Sequence, residues 1–231
     1  MNPKLDRRRV VQAASGLVVV SGVVAAGAAP ANESKRNRSQ EVTPPEDLLR
    51  EHGVLNRVLL IYEATIKNFA RNESFDVSVI SQAAEIIREF IEGYHERNEE
   101  QQVFPRFRKA GQMVDLVNVL YQQHQAGRRL TDTILGLVPR SFAFVDDQVR
   151  LVSGMQSFIT MYRPHEARED TDLFPKLRSI VSPNEFDAMA EDFERDERRK
   201  FGQDGFETMI ARVANLEKTL GIDDLAGVTP T

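Results

Sequence analysis

An internal duplication restricts the fold of this chain more than any other feature of its sequence. Residues 95–108 (HERNEEQQVFPRFR) recur without a gap, seventy positions later, as residues 165–178 (HEAREDTDLFPKLR). A second pair of similar segments surrounds His52 and His124, which lie 72 positions apart. The chain therefore contains two halves of one design, and each half has a single histidine followed by a His-Glu-x-x-Glu sequence.

Apolar residues recur at steps of three and four across four successive segments after Thr43, and this period is typical of amphipathic α-helices. Short breaks separate the segments. We therefore expect an all-α fold, an up-down-up-down antiparallel four-helix bundle with additional C-terminal helices. Capping boxes of Thr43 with Glu46 and of Ser182 with Glu185 predict the starts of the first helix and of the first C-terminal helix. The second and fourth helices are expected to end near Pro105 and before Pro175.

The first thirty residues have the order of an export signal. A basic stretch, residues 4–9 (KLDRRR), precedes an apolar run from Val10 to about Ala29 that closes on small residues. The adjacent arginines resemble a twin-arginine signal, and an uncleaved membrane anchor is the alternative. We expect an exported protein, periplasmic or extracytoplasmic, that is not stably inserted in the membrane once the signal is removed.

Composition divides the chain into four parts. Residues 1–29 are predicted to be the export signal, 30–44 a flexible linker, 45–180 the helical bundle, and 181–231 C-terminal packing helices and a tail. The formal net charge of −5 argues against a nucleic-acid partner, because a phosphate backbone requires a basic face.

The histidines and glutamates of the duplicated segments form a candidate metal site. A histidine and a glutamate four positions apart project from the same face of a helix, and these stripes are otherwise apolar, so the polar groups are expected inside the bundle. Burying imidazole and carboxylate groups costs folding free energy unless they are paired with each other or bind a cation. The candidate metal ligands are His52, His95, Glu99, His124, His165 and Glu169. A single histidine would more often be a hydrogen-bonded core residue, but the matched positions in two halves favour a metal.

The chemistry of these donors limits the metal. The chain has no cysteine, so only nitrogen and oxygen ligands are offered, and these suit iron, manganese or zinc. Four imidazoles and two carboxylates could hold two ions bridged by Glu99 and Glu169. A zinc hydrolase is less favoured, because neither segment is the HExxH sequence of metalloproteases.

The order His…His-x-x-x-Glu…His…His-x-x-x-Glu, with Leu-Phe-Pro after the second segment, resembles the hemerythrin-like HHE cation-binding domain. The resemblance covers roughly Pro45 to Arg178. It implies a non-haem di-iron centre, with the six candidate residues as ligands and the two glutamates as bridges. It also implies a small ligand such as O2 or NO, and members of the family bind oxygen, sense oxygen or iron, or handle nitric oxide and peroxide.

The sequence departs from the oxygen-carrying hemerythrins. Where those proteins have a second histidine one turn after the third, this chain has Arg128, and their terminal aspartate corresponds to Asp170, directly after Glu169. The resemblance to variants with fewer histidines makes Glu96 and Glu166 possible additional ligands. A solvated helix surface is the favoured interpretation of both, since adjacent residues differ by about 100° around a helix.

Three functions remain open from the sequence. The first is a module that binds oxygen, nitric oxide or iron without turnover, and the second is a di-iron oxidoreductase that consumes peroxide or oxygen. The third is an extracytoplasmic sensor or scaffold in which the metal stabilises the fold. No catalytic residue is assigned. The tyrosines near the ligand turns are interpreted as core residues: Tyr62, Tyr94, Tyr121 and Tyr162.

Overall fold

The computed structural model describes residues 42–141 and 143–229. The predicted export signal, and all of the predicted linker except its last three residues, lie outside this part of the chain. Within the described ranges the chain is helical and forms no strand, so the predicted all-α class is confirmed. None of the described helices has both the length and the apolar character that a membrane crossing requires.

Four helical rods carry the duplicated halves. The first rod is α1 (Pro44–Arg71) and the third is α5 (Val114–Leu137). The second rod, residues 78–110, and the fourth rod, residues 145–180, are each interrupted by wider π-helical turns. The second rod consists of α2 (Ser78–Ile86), a π-helix (Ile87–His95), α3 (Glu96–Asn98), a π-helical turn (Glu99–Val103) and α4 (Phe104–Ala110). The fourth consists of α6 (Val145–Arg168), a π-helical turn (Glu169–Leu173) and α7 (Phe174–Ile180).

Two further helices, α8 (Pro183–Phe201) and α9 (Gly205–Leu220), follow the rods. Short 3₁₀ turns lie at Val138–Arg140 and Leu225–Val228. The predicted capping boxes are present at both expected helix starts, where Thr43 and Ser182 accept the backbone N–H of the glutamate three residues later. The first helix ends at Asn72, which takes the left-handed conformation with φ of 54°.

The prediction that the second and fourth helices end at Pro105 and Pro175 is wrong. In both rods a π-helical turn comes immediately before the Phe-Pro pair, and the rod then continues as α4 or α7. A proline ring inside an α-helix clashes with the carbonyl four residues earlier. Widening the preceding turn relieves this clash, so each rod continues past its proline.

Two apolar clusters form the core of the described part. The larger cluster lies among α1, the second rod, α5 and α6, and α9 contributes Met209, Val213 and Leu216 to it. The smaller one lies around Phe104, Phe107 and the equivalent Phe174 and Leu177, and α8 adds Met189 and Phe193. The C-terminal helices therefore complete the apolar packing of the rods.

Candidate metal centre

The structure brings the six predicted ligands together in one buried cluster. They come from all four rods, and none of their residues is more than 3% exposed. His95 ends one π-helical turn and Glu99 begins the next, while Glu169 begins the π-helical turn of the fourth rod. The widened turns are therefore located at the ligands, as is common for π-helical turns at functional sites.

The cluster divides into two groups that share their carboxylates. Within each group the possible ligand atoms all lie within 4.8 Å of one another. One group contains His52 and His95, the other contains His124 and His165, and both contain Glu99 and Glu169. This is the arrangement that two bridging carboxylates require.

Each glutamate faces one histidine of its own rod and one from another rod. Glu99 Oε2 lies 3.7 Å from His95 Nε2 and 3.3 Å from His124 Nε2. Glu169 Oε2 lies 3.1 Å from His165 Nε2 and 3.4 Å from His52 Nε2. All four imidazoles therefore direct the same nitrogen, Nε2, at the shared carboxylates.

The other nitrogen of every imidazole, Nδ1, donates a hydrogen bond outward. The acceptors are Asp170 for His52 at 2.7 Å, Glu51 for His95 at 2.8 Å, Glu100 for His124 at 3.0 Å and Gln123 for His165 at 3.0 Å. In a neutral imidazole a donating Nδ1 leaves Nε2 as the lone-pair nitrogen, which is the form that binds a metal.

Several inward-facing atoms make no hydrogen bond to any residue that the structure describes. They are both carboxylate oxygens of Glu99, both of Glu169, and Nε2 of His52 and of His124. Buried polar atoms without partners are costly and rare in folded proteins. A cation at the centre would satisfy these lone pairs, so the donor set fits the metal ions that the sequence predicts.

The two shared carboxylates have very different proton affinities without a metal. Burial, followed by repulsion from Glu169, raises the pKa of Glu99 to about 8. Burial also opposes ionisation of Glu169, but the imidazoles of His165 and His52 hold its pKa well below its usual range. Two adjacent carboxylates and four imidazoles thus form one electrostatically coupled unit.

Glu96 and Glu166 are not on the solvated helix surface that the sequence favours, and this expectation is wrong. They are 1% and 3% exposed, because the neighbouring rods cover this side of each helix. Glu96 accepts hydrogen bonds from Tyr162 Oη at 2.6 Å and from Arg128 Nη2 at 2.9 Å. Glu166 accepts one from Asn56 and belongs to neither of the two groups above.

Glu96 is held in a polar network beside the second pair of histidines. It lies within 4.8 Å of ligand atoms of Glu100 and His124, and Arg128 bridges it to Glu100 at 2.8 Å. The Tyr162 ring contacts His165 edge-on, with 5.3 Å between ring centroids. Tyr162 therefore does more than pack, and Gly127 allows its close approach, since a Cβ there would lie 2.0 Å from the hydroxyl.

The comparisons with known proteins agree with this geometry. The hemerythrin HHE cation binding domain matches residues 43–177. The chain belongs to the hemerythrin family. This hemerythrin-family chain is 43% identical over 235 residues to an uncharacterized protein of Mycobacterium bovis, and equally to uncharacterized proteins of two Mycobacterium tuberculosis strains. Each alignment covers 98% of this chain and 92% of the relative. No solved structure matches the chain.

The residues that accept the Nδ1 hydrogen bonds were not found by sequence analysis. Glu51, Glu100 and Gln123 are each next to a ligand in the chain, and the duplication pairs Glu51 with Gln123 and Glu100 with Asp170, at the same offsets of 72 and 70 residues. This repeat is the signal that could have found them, but it does not show which histidine each acceptor reaches. Gln123 illustrates the difficulty, because it adjoins His124 and yet binds His165 on another rod. Which histidine such a residue reaches depends on how the rods are rotated against each other.

Proposed function

We propose that this hemerythrin-family chain binds two metal ions at the centre of its rods. One ion would be held by His52 and His95, the other by His124 and His165, and Glu99 and Glu169 would bridge them. The observation that carries the proposal is the sharing of both carboxylates by two compact donor groups. The outward hydrogen bonds of all four Nδ1 atoms support it, since they leave Nε2 free to ligate.

We propose iron as the metal in both positions. Nitrogen and oxygen donors without sulfur suit non-haem iron, and the hemerythrin resemblance points to a di-iron centre. The same donors also suit manganese and zinc, so identification requires elemental analysis of the protein.

The proposed activity is binding or sensing of a small ligand such as O2 or NO, or of iron itself. Two imidazoles and two shared carboxylates would give each ion four protein ligand atoms, fewer than the six that octahedral iron accepts. A small molecule could take a remaining position. Because the donor residues are at most 3% exposed, a diatomic ligand fits the site better than a larger substrate.

A di-iron oxidoreductase that consumes peroxide or oxygen is the second candidate, and the network around Glu96 favours it. Bound iron would supply the redox chemistry. The chain itself places the buried Tyr162 Oη beside Glu96, and Arg128 fixes that carboxylate from the other side. A hydroxyl and a carboxylate within hydrogen-bonding distance can hold and move a proton next to the His165 ring.

The deciding experiment is elemental analysis of the purified full-length protein. We expect two irons per chain in the wild type and at most one in His95→Ala. Gln122→Ala, an exposed site on the helix that carries His124, serves as the matched control and should retain both ions. A wild-type protein without metal, or with one ion that does not depend on His95, would refute the di-iron proposal.

Reactivity of the loaded protein separates the candidate functions. An O2 or NO adduct that forms once and releases under vacuum would support binding or sensing. Consumption of peroxide or oxygen over many turnovers would support the oxidoreductase. Folding that depends on metal, without either reactivity, would leave the extracytoplasmic sensor or scaffold.

We also propose an up-down-up-down antiparallel order of the four rods across residues 45–180, supported by the short connections between successive rods.

Export through a twin-arginine pathway is proposed from residues 1–29. N-terminal sequencing of the protein recovered from the extracytoplasmic fraction tests the export. A mature chain beginning close to residue 30 is expected, and an intact Met1 in the cytoplasmic fraction would contradict it.

A further inference from the structure

Positive charge is concentrated in a cavity between the second rod and α8, and none of the six candidate metal ligands lines it. The cavity has a volume of about 230 Å³, and Arg97, Arg199 and Lys200 line it. Asp196 is the one acidic residue in its lining. The lining thus has a formal charge of +2, whereas the whole chain carries −5. A basic cavity on an acidic protein points to an anionic ligand.

Two residues that line this cavity, Arg97 and Asn98, have hydrogen-bond donors without a protein partner in the described ranges. Arg97 is exposed and takes part in no hydrogen bond or ion pair with another described residue. Asn98 is only 4% exposed, and its Nδ2 has no partner in the same ranges. An unsatisfied buried amide costs free energy that a bound acceptor would recover. Arg199 lies 3.2 Å from Asp196, so its guanidinium is held at the cavity.

The third cation is held in place by the backbone. Lys200 Nζ donates hydrogen bonds to the carbonyl oxygens of Glu89 at 2.8 Å and Gly93 at 2.5 Å, both in the first π-helix. Burial, followed by the nearby charge of Arg97, lowers the pKa of Lys200. The ammonium therefore stays next to a like charge that the protein does not neutralise, and an anion in the cavity would relieve this repulsion.

We propose that this cavity binds a phosphate group. Planar guanidinium groups pair with two phosphate oxygens at once, and a lysine adds a point charge. A phosphate carries between one and two negative charges near pH 7, close to the +2 of the lining. Arg97 and Arg199 would donate hydrogen bonds to the phosphate oxygens, and the Asn98 side-chain amide would donate a hydrogen bond to a phosphate oxygen.

Isothermal titration of the full-length, metal-loaded protein with inorganic phosphate tests the proposal. We expect saturable binding that the double substitution Arg97→Gln and Arg199→Gln weakens by roughly tenfold or more, because each lost charged hydrogen bond costs about that factor. Arg129→Gln is the matched control, since it removes an exposed arginine that does not line the cavity, and it should leave binding unchanged. Asp196→Asn should strengthen binding, because it removes the one acidic group that competes with phosphate for Arg199.

A second arm of the titration identifies the source of the phosphate. Tighter binding of AMP than of inorganic phosphate, with the same loss in the double variant, would assign the cavity to a phosphate carried on a larger molecule. The reverse order would assign it to the free anion. Absence of saturable binding to the wild type would overturn the proposal. So would binding that the double variant leaves unchanged, because the phosphate would then sit at the metal ions.

Discussion

At the scale of single residues, the two halves of the centre are chemically unequal although their ligands are matched. His52 and His95 both donate from Nδ1 to carboxylates, Asp170 and Glu51. In the other half, His165 donates to the neutral amide of Gln123, and the Glu100 carboxylate that accepts from His124 is also paired with Arg128. An anionic partner makes an imidazole a stronger electron donor. An ion held by His52 and His95 would therefore be more electron-rich than one held by His124 and His165.

The role of Asp170 can be tested by substitution. Its Oδ1 accepts the Nδ1–H of His52 at 2.7 Å, which makes it a positioning residue for that ligand. We expect Asp170→Ala to lower metal affinity by about 10- to 100-fold, the usual cost of losing such a partner. Asp170→Asn keeps an accepting oxygen and should recover part of the affinity. Competition with a chelator of known affinity measures both variants.

Asp172→Ala provides the control for Asp170, since it removes a carboxylate from the same π-helical turn. The Asp172 carboxylate pairs with the exposed Arg168 and accepts a hydrogen bond from Thr171, so it contacts none of the candidate ligands through these bonds. Its metal affinity should equal that of the wild type. An unchanged affinity in Asp170→Ala would mean that His52 is oriented by its packing alone, against the ring of Phe174.

At the scale of helices, the sequence predicted where the helices lie better than it predicted their internal geometry. The capping boxes at Thr43 and Ser182 fixed two helix starts, because a cap depends on residues three positions apart. The π-helical turns were not predicted, because a proline normally ends a helix and the sequence around Pro105 and Pro175 therefore indicates helix ends. The residues after each π-helical turn are buried in the smaller apolar cluster, Phe104 and Phe107 in the second rod and Phe174 and Leu177 in the fourth. This tertiary packing favours continuation of the rod, and the local sequence does not reveal it.

The candidate metal centre shows the same difference between features set by local sequence and features set by tertiary packing. The six candidate ligands could be found because a histidine and a glutamate four apart share a helix face, and because the pattern is repeated. Glu96 was misjudged because its burial depends on contacts from two other rods, through Arg128 and Tyr162. Lys200 could not be connected to the second rod at all, since it binds carbonyls more than one hundred residues away.

At the scale of the whole molecule, the centre and the apolar core depend on each other. The stacked ring contacts of His52 with Phe174 and of His124 with Phe104 join the ligands to the smaller apolar cluster. Helices α8 and α9, which follow the matched family domain, contribute apolar residues to both clusters. The candidate ligands are therefore packed against the apolar core, and their unpaired lone pairs would oppose folding unless a cation is bound.

Removal of the metal should consequently destabilise the fold. A ligand present at about 1,000 times its dissociation constant adds roughly 4 kcal/mol to the free energy of unfolding, and about 1 kcal/mol corresponds to 2–4 °C in Tm for a chain of this size. We expect chelation to lower the Tm by roughly 10 °C, measured by circular dichroism.

Glu99→Gln should abolish this metal-dependent shift because it removes one of the two carboxylates proposed to bridge the ions. Without metal, however, it should unfold at a higher temperature than the metal-free wild type at neutral pH. Burial raises the pKa of Glu99 to about 8, so the wild type must take up a proton there on folding, whereas a glutamine need not. Glu85→Gln, an exposed substitution on the second rod, should behave as the wild type in both states. If Glu99→Gln lowers the Tm with and without metal alike, Glu99 serves the packing of the fold and not a cation.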